Sequence, residues 1–367
     1  MKAVPPTCKH MGFPAENFMT TCKGCGVHLQ YENKLLPGYT PKKESEYCQR
    51  CFRLIHYDDL TVSMRKGIDP DEVMKHISEM DALVLWVVDL FDFEAGMIPG
   101  INRHLSGKDI ILAAGKRDLL PETLSDEKAA RFVFSRLKEQ GITIQELILT
   151  SAYQQEGLDE IKDAINRYGR GRPVVVMGRA NAGKSTLLNR LLGSNALTMS
   201  RYPGTTLDFN QMEADGVTWI DTPGIEIDSS ILMETDEKDL KTILPDRRLK
   251  PVVFQLRGDQ SFAVGGLARI DLYGCDHASA VFYMAQTLNL HRCKVSAAQD
   301  LWKKHYNELL VPVPKIKQFR KFSIRKEMDK MDIVIDGLGW VCVHGTMRNV
   351  DVYVPENVNV TFRKAML

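Results

Sequence analysis

A chain of 367 residues, 44% hydrophobic and 26% charged, has room for two or three domains with sizeable cores and the balance of an ordinary soluble protein. No apolar run approaches the length of a membrane span and the N-terminus lacks a signal-peptide pattern, which predicts a cytoplasmic protein with no membrane partner; a monomer is expected. The net charge of +1 means that any attraction to nucleic acid must come from local patches.

Residues 1–59 form the first predicted module. Eight cysteines in a chain this long argue against a secreted disulfide scaffold, and the spacing Cys22-x-x-Cys25 followed by Cys48-x-x-Cys51 suits four thiolates around one structural zinc ion. Gly24 and Gly26 permit the tight turn of the first knuckle, and the segment Leu36–Pro41 takes up the long spacing. The alternative is four buried or redox-active thiols. Lys42, Lys43, Arg50 and Arg53 outnumber nearby acids, and Tyr31, Tyr39 and Phe52 accompany them. The module can touch RNA or simply present a solvated face.

From residue 60 helices and strands alternate. Asp71–Ser78 reads as a helix and Ala82–Val88 as a buried parallel strand ending in Asp89. A second apolar strand, Asp109–Ala114, leads to Gly115-Lys116-Arg117-Asp118. A helix over Lys128–Gln140 and a strand over Glu146–Thr150 follow, ending in Ser151-Ala152. The apolar run Pro173–Met177 then opens into Gly178-Arg179-Ala180-Asn181-Ala182-Gly183-Lys184-Ser185-Thr186, which matches the phosphate-binding loop G-x-x-x-x-G-K-[ST] and precedes a helix-prone segment. The glycines let successive N–H groups face phosphate oxygens, Lys184 would reach the β- and γ-phosphates, and the Ser185 hydroxyl would ligate magnesium. Pro203–Thr206 and Asp221-Thr222-Pro223-Gly224 come next. Alternating strands and helices predict an α/β doubly wound, mostly parallel sheet with ligand at the carboxyl ends of its strands.

Together these motifs resemble the guanine-nucleotide domain of GTPases, with the base-recognition motifs placed before the phosphate loop. The sequence resembles a circularly permuted P-loop GTPase and is most similar to the YqeH family of ribosome-assembly GTPases. The resemblance spans the chain through CKGCG, CQRCF, GKRD, TSAY, GRANAGKST, PGTT and DTPG. It implies that Ser185, Thr206 and Asp221 serve magnesium, that Thr206 and the Gly224 N–H sense γ-phosphate, and that Asp118, Lys116, Ser151 and Ala152 hold guanine. Asn181 matches the residue that coordinates potassium in potassium-stimulated GTPases; the other reading is a turn-forming asparagine. GTP or GDP, Mg2+ and structural Zn2+ are the implied cofactors, with K+ added under the potassium reading of Asn181.

Two departures stand out. Gly115 occupies the asparagine position of N-K-x-D, which predicts weaker nucleotide binding by about 1–3 kcal/mol if a buried partner is left unmet. Ile225 follows Gly224 where many signalling GTPases carry a water-orienting glutamine, which predicts slow intrinsic turnover.

Residues 229–367 form the third predicted module, β-rich with a helical insertion over Ala297–Leu309. Strands are expected at 252–256, 267–273, 280–285, 319–324, 332–335, 339–343 and 350–354, with a hairpin turn at Asp336–Gly339. Lys315, Lys317, Arg320, Lys321, Arg325 and Lys326, interleaved with Phe319 and Phe322, form a candidate RNA-binding strip; a solvated strand face is the alternative. The family resemblance implies ribosomal RNA and the small (30S) ribosomal subunit or its precursor as partners. Two other readings remain: a nucleotide-gated RNA-binding module with incidental hydrolysis, and an NTPase of relaxed base choice.

Overall fold

A computed structural model describes residues 29–31, 39–42, 45–46, 70–151, 155–193, 199–201, 209–225 and 228–367. Cys22, Cys25, Cys48 and Cys51, expected to hold zinc, lie outside the described residues, as do Ala152 and Thr206. The chain divides into two compact units, residues 1–59 and 60–367. In the first, Gln30 bridges Tyr39 and the Thr40 N–H donates to the Gln30 carbonyl at 2.9 Å.

Among the described residues of the second unit, a helix over Pro70–Glu79 comes first, then β1 (Leu83–Asp89) and β2 (Ile110–Gly115). A helix over Asp126–Glu139, capped by the Ser125 hydroxyl, leads to β3 (Glu146–Leu149), and a helix over Gln155–Tyr168 to β4 (Val174–Gly178). After the helix Lys184–Leu192 come β5 (Met199–Arg201), β6 (Asn210–Ala214) and β7 (Val217–Asp221). The sheet order is β3-β2-β1-β4-β7-β6-β5. From β3 to β7 neighbours run parallel; β6 and β5 are added antiparallel at one edge.

Strand period two explains the double winding. Leu83, Leu85 and Val87 pack with Leu158, Ile161, Leu187 and Leu191 on one face. Val84, Trp86 and Val88 pack with Val73, Ile77, Phe132 and Val133 on the other. Both faces of β1 are therefore buried, as its unbroken apolar run requires.

The remaining strands are β8 (Val252–Val264), β9 (Ala268–Tyr283), β10 (Leu290–Lys294), β11 (Phe319–Arg325), β12 (Lys330–Ile335), β13 (Gly339–Thr346), β14 (Asn349–Pro355) and β15 (Val360–Lys364), with a helix over Val295–His305. They form a second sheet, β10-β8-β9-β13-β12-β15, with β14 pairing β9 and β11 pairing β14. The expected strands at 267–273 and 280–285 are one continuous strand, β9. The polar stretch Gly274–His277 reads as a break, but positive φ at Gly258 (69°) and Gly274 (63°) and register shifts around Gly258 let the β8–β9 ladder absorb it as bulges. Strands β10 and β15 were not expected, and β8 runs well past Leu256. The helix spans Val295–His305, shifted toward the N-terminus from 297–309.

This sheet shares a core with the first. Phe91, Tyr283, Val334, Trp340 and Met366 belong to the same buried cluster as Trp86 and Phe132. At its centre Arg363, 2% exposed, donates to Glu94 at 2.9 Å and lies 3.4 Å from Asp332. Glu94 is also held by Arg136 at 2.7 Å, and the Arg363 guanidinium sits 4.5 Å from the Phe132 ring centroid.

Candidate nucleotide site

The phosphate loop leaves β4 between β1 and β7. A Cβ at Gly178 would lie 2.3 Å from the Val87 carbonyl oxygen, so only glycine lets β4 run this close to β1. Asn181 (φ 66°) and Gly183 (φ 93°) turn the backbone into the helix Lys184–Leu192, whose first N–H groups are available to an anion. Lys184 is buried beside this loop. Burial lowers its pKa, and the charge of Asp221 opposes that effect. Ser185 is exposed, Thr186 half-buried, and Ala182 packs into the core.

The Asp221–Gly224 loop lies directly against the phosphate loop. Asp221 ends β7 in register with Val176. Beyond it the Thr222 N–H donates to Val176 O at 3.2 Å, Ile225 N–H to Gly178 O at 3.2 Å, and Ala180 N–H to Ile225 O at 2.9 Å. A Cβ on Gly224 would come within 2.9 Å of Ala180 Cα. The position therefore tolerates no side chain without displacing the phosphate loop. Ile225 is fully buried and offers a water nothing to bond.

Base recognition was expected at the carboxyl ends of β2 and β3. Lys116 adopts φ 58°, and its ammonium bridges Asp89 Oδ2 at 2.8 Å and the Asn181 carbonyl at 3.1 Å. It thus ties the ends of β1 and β2 to the phosphate loop. Asp118 sits in the short turn Arg117–Leu119, and the Arg117 N–H donates to Thr150 O at 3.1 Å beside the fully buried Ser151. A Cβ at Gly115 would meet only Val88 O at 3.7 Å and Ala182 O at 3.9 Å, ordinary contacts. The backbone there thus has room for a Cβ beside the phosphate-loop carbonyl of Ala182. Gly115→Asn is expected to tighten nucleotide binding by about 1 kcal/mol, roughly fivefold, in a calorimetric titration.

Sequence reasoning missed Asp92. It follows β1, accepts from Arg179 Nη1 at 2.9 Å through Oδ2, and accepts the Gly337 N–H at 2.9 Å through Oδ1. Asp336, next to Gly337, is buried. Burial and then the nearby charge of Asp92 push its pKa up to about 7, against Arg179 and hydrogen bonds from Ser229 and Asn359. The folded state therefore binds this proton more tightly than the unfolded chain. The associated stability is complete below the ordinary carboxylate range and is lost as pH rises toward 7. Relative to wild type, Asp336→Asn is expected to gain melting temperature as pH goes from 5 to 8; an unchanging difference would contradict this.

The basic strip is partly committed to internal bonds. Lys321 pairs with Asp351 at 2.7 Å, Lys326 donates to Asp329 O and Gly345 O, and Lys315 donates to Met233 O at 3.1 Å. Arg320 donates to Val358 O and stacks 4.5 Å from the Phe322 centroid. Lys317 and Arg325 are exposed. Register places Arg269, Tyr353 and Lys321 side by side across β9, β14 and β11, with Arg269 4.0 Å from the Tyr353 centroid. Their separation in sequence hides this row.

A phosphate loop, a D-x-x-G loop and a base-recognition loop on one carboxyl edge, with the base-recognition strands first in the chain, define a circularly permuted P-loop GTPase. A family model described as YqeH-like, C-terminal matches residues 277–366, and one described as 50S ribosome-binding GTPase matches residues 173–259. The uncharacterized protein YqeH of Bacillus subtilis (strain 168) is 37% identical, over 94% of this chain and 99% of that one. NO-associated protein 1, chloroplastic/mitochondrial, of Arabidopsis thaliana is 25% identical over 89% of this chain and 70% of its own length. Among solved structures, GNP-bound YlqF from T. maritima is similar at 24% identity over 48% of this chain and 66% of that chain, with a TM-score of 0.32. This chain belongs to the YqeH family.

Membership implies GTP or GDP and magnesium. The donor set fits the ion: a serine hydroxyl at the start of a helix and a carboxylate at a strand end are hard oxygen ligands of the kind magnesium takes. Ser185 and Asp221 would hold the ion there, and it would supply positive charge against the phosphates.

Proposed function

We propose that the chain is a slowly hydrolysing GTP switch that assists assembly of the small ribosomal subunit in the cytoplasm. Residues 1–59 act as a zinc module, 60–228 as the permuted GTPase domain and 229–367 as the ribosomal-RNA-binding part. The single observation behind the switch reading is the backbone zipper between Ala180 and Ile225, which couples the phosphate loop to the segment leading into the C-terminal sheet.

Roles follow by position. Lys184 and the loop N–H groups of Arg179, Ala180, Asn181, Ala182 and Gly183 hold phosphates; Ser185, Thr206 and Asp221 serve magnesium; Thr206 and Gly224 sense the γ-phosphate. Asp118, Lys116, Ser151 and Ala152 receive guanine. Asn181 is a potassium ligand in this reading, while Cys22, Cys25, Cys48 and Cys51 hold zinc. RNA contacts fall to exposed Lys317 and Arg325, with Lys315, Arg320, Lys321 and Lys326 shaping the same strip. Burial of Ile225 keeps intrinsic turnover well below the roughly 10 per second of a typical enzyme.

Co-sedimentation with purified 30S particles in the presence of a non-hydrolysable GTP analogue or GDP tests this. Association with one nucleotide state over the other is the expected result. Equal association in both states, or none, would contradict it.

A further inference from the structure

Two segments that bracket the γ-phosphate position lead to one turn of the C-terminal sheet. The first route starts in the phosphate loop: Arg179 reaches Asp92, and Asp92 reaches the Gly337 N–H, each at 2.9 Å. The Arg179 and Asp92 side chains are only 11% and 13% exposed, so the pair is largely shielded from solvent. The second route starts beyond Asp221–Gly224. There Ser229 Oγ donates to Asp336 Oδ2 at 3.2 Å and the Ile231 N–H donates to the Asp336 carbonyl at 2.9 Å.

The turn itself is tightly seated. Gly337 has φ 79°, and a Cβ there would lie 2.2 Å from Ser230 Oγ and 2.9 Å from Leu232 Cγ. It joins β12 to β13, and β13 carries Trp340, whose ring lies 6.1 Å from Phe91, the residue before Asp92. Breaking a buried, hydrogen-bonded ion pair is costly, and packed elements respond by switching arrangement more readily than by yielding gradually. A displacement of the phosphate loop or of the segment after Gly224 must therefore move this turn or sever its bonds.

We propose that Asp92 is a positioning residue that couples the phosphate loop to the Asp336–Leu338 turn, making that turn the point at which the C-terminal sheet senses GTP. The inference rests on the GTP-switch reading above. Asp92 acts through Arg179 and not on the nucleotide itself. Burial first, and then the nearby charge of Asp92, raise the pKa of Asp336 at this junction. By linkage, whatever moves the turn must change the relative affinities for GTP and GDP by the same factor that the nucleotide exerts on the turn.

Hydrogen exchange of the full chain, loaded with a non-hydrolysable GTP analogue or with GDP and magnesium, reads the coupling directly at the Gly337 amide. Exchange of the peptide spanning 336–338 is expected to differ at least about fivefold between the two states, within the usual range of allosteric coupling. Asp92→Asn keeps an acceptor for the Gly337 N–H and removes the charge that holds Arg179; Arg179→Gln severs the same link from the other side and serves if the first variant does not fold. In either variant the difference should collapse and the ratio of GTP to GDP affinities should move toward unity. A lowered melting temperature with the exchange difference intact would make Asp92 merely structural and overturn the proposal. Equal exchange in wild type despite binding of both nucleotides would overturn the coupling alone, whereas no nucleotide binding would overturn the switch reading and the coupling with it.

Discussion

Arg363→Ala is expected to destabilise the 60–367 unit by about 3–5 kcal/mol, the largest loss of stability among the substitutions considered for this chain. The arginine is nearly inaccessible and serves two carboxylates from different parts of the chain, Glu94 after β1 and Asp332 on β12. Removing it leaves Asp332 buried with its Arg363 contact gone, and burial already pushes the pKa of that carboxyl up. The Phe132 ring also loses the guanidinium stacked on it. Cost and remedy are distinct: Arg363→Met combined with Asp332→Asn removes a charge along with its partner and is expected to recover part of the loss. Thermal or urea unfolding of the three proteins checks this. Equal stability of Arg363→Ala and wild type would show that the shared core holds without the network.

Lys184→Met is expected to lower kcat/KM for GTP about 10²–10³-fold, the usual penalty for deleting one preorganised donor to developing charge. The ammonium is buried, its pKa is lowered by that burial, and only Asp221 offsets the effect among the charges that shift it. In the nucleotide-free protein the lysine is thus held at a cost that phosphate binding repays. Melting temperature of the nucleotide-free variant should therefore equal or exceed that of wild type while turnover falls. This pattern separates a functional charge from a structural one. A variant that loses stability and retains turnover would contradict the role given to Lys184.

The parts of this molecule legible in its sequence are those whose physics is local. The apolar run of β1 reported burial on both faces, the glycines at 178 and 183 reported a close strand approach and a positive-φ turn, and the order of motifs reported the permutation. Parts that depend on register or on distant partners were not legible. Gly274–His277 looks like a strand break because bulge geometry depends on the partner strand. Asp92 and Gly337, joined by one hydrogen bond, stand 245 positions apart. Arg363 reads as one more basic residue near the end of the chain, and only the packing of β15 against β12 turns it into a buried clamp. Conversely, the basic strip reads as uniformly available charge, while the structure engages Lys321 and Lys326 in internal bonds.

In the proposed switch, the loops at Gly115–Asp118, Ser151, Gly178–Thr186 and Asp221–Ile225 make one guanine-nucleotide pocket. Equilibrium titration of the purified chain with GTP, GDP and ATP in the presence of magnesium tests it most directly. GTP and GDP are expected to bind and ATP to compete only weakly, because adenine lacks the N1 and N2 donors that Asp118 would meet in the proposed pocket. ATP binding as tightly as GTP, or no binding of any of the three, would contradict it.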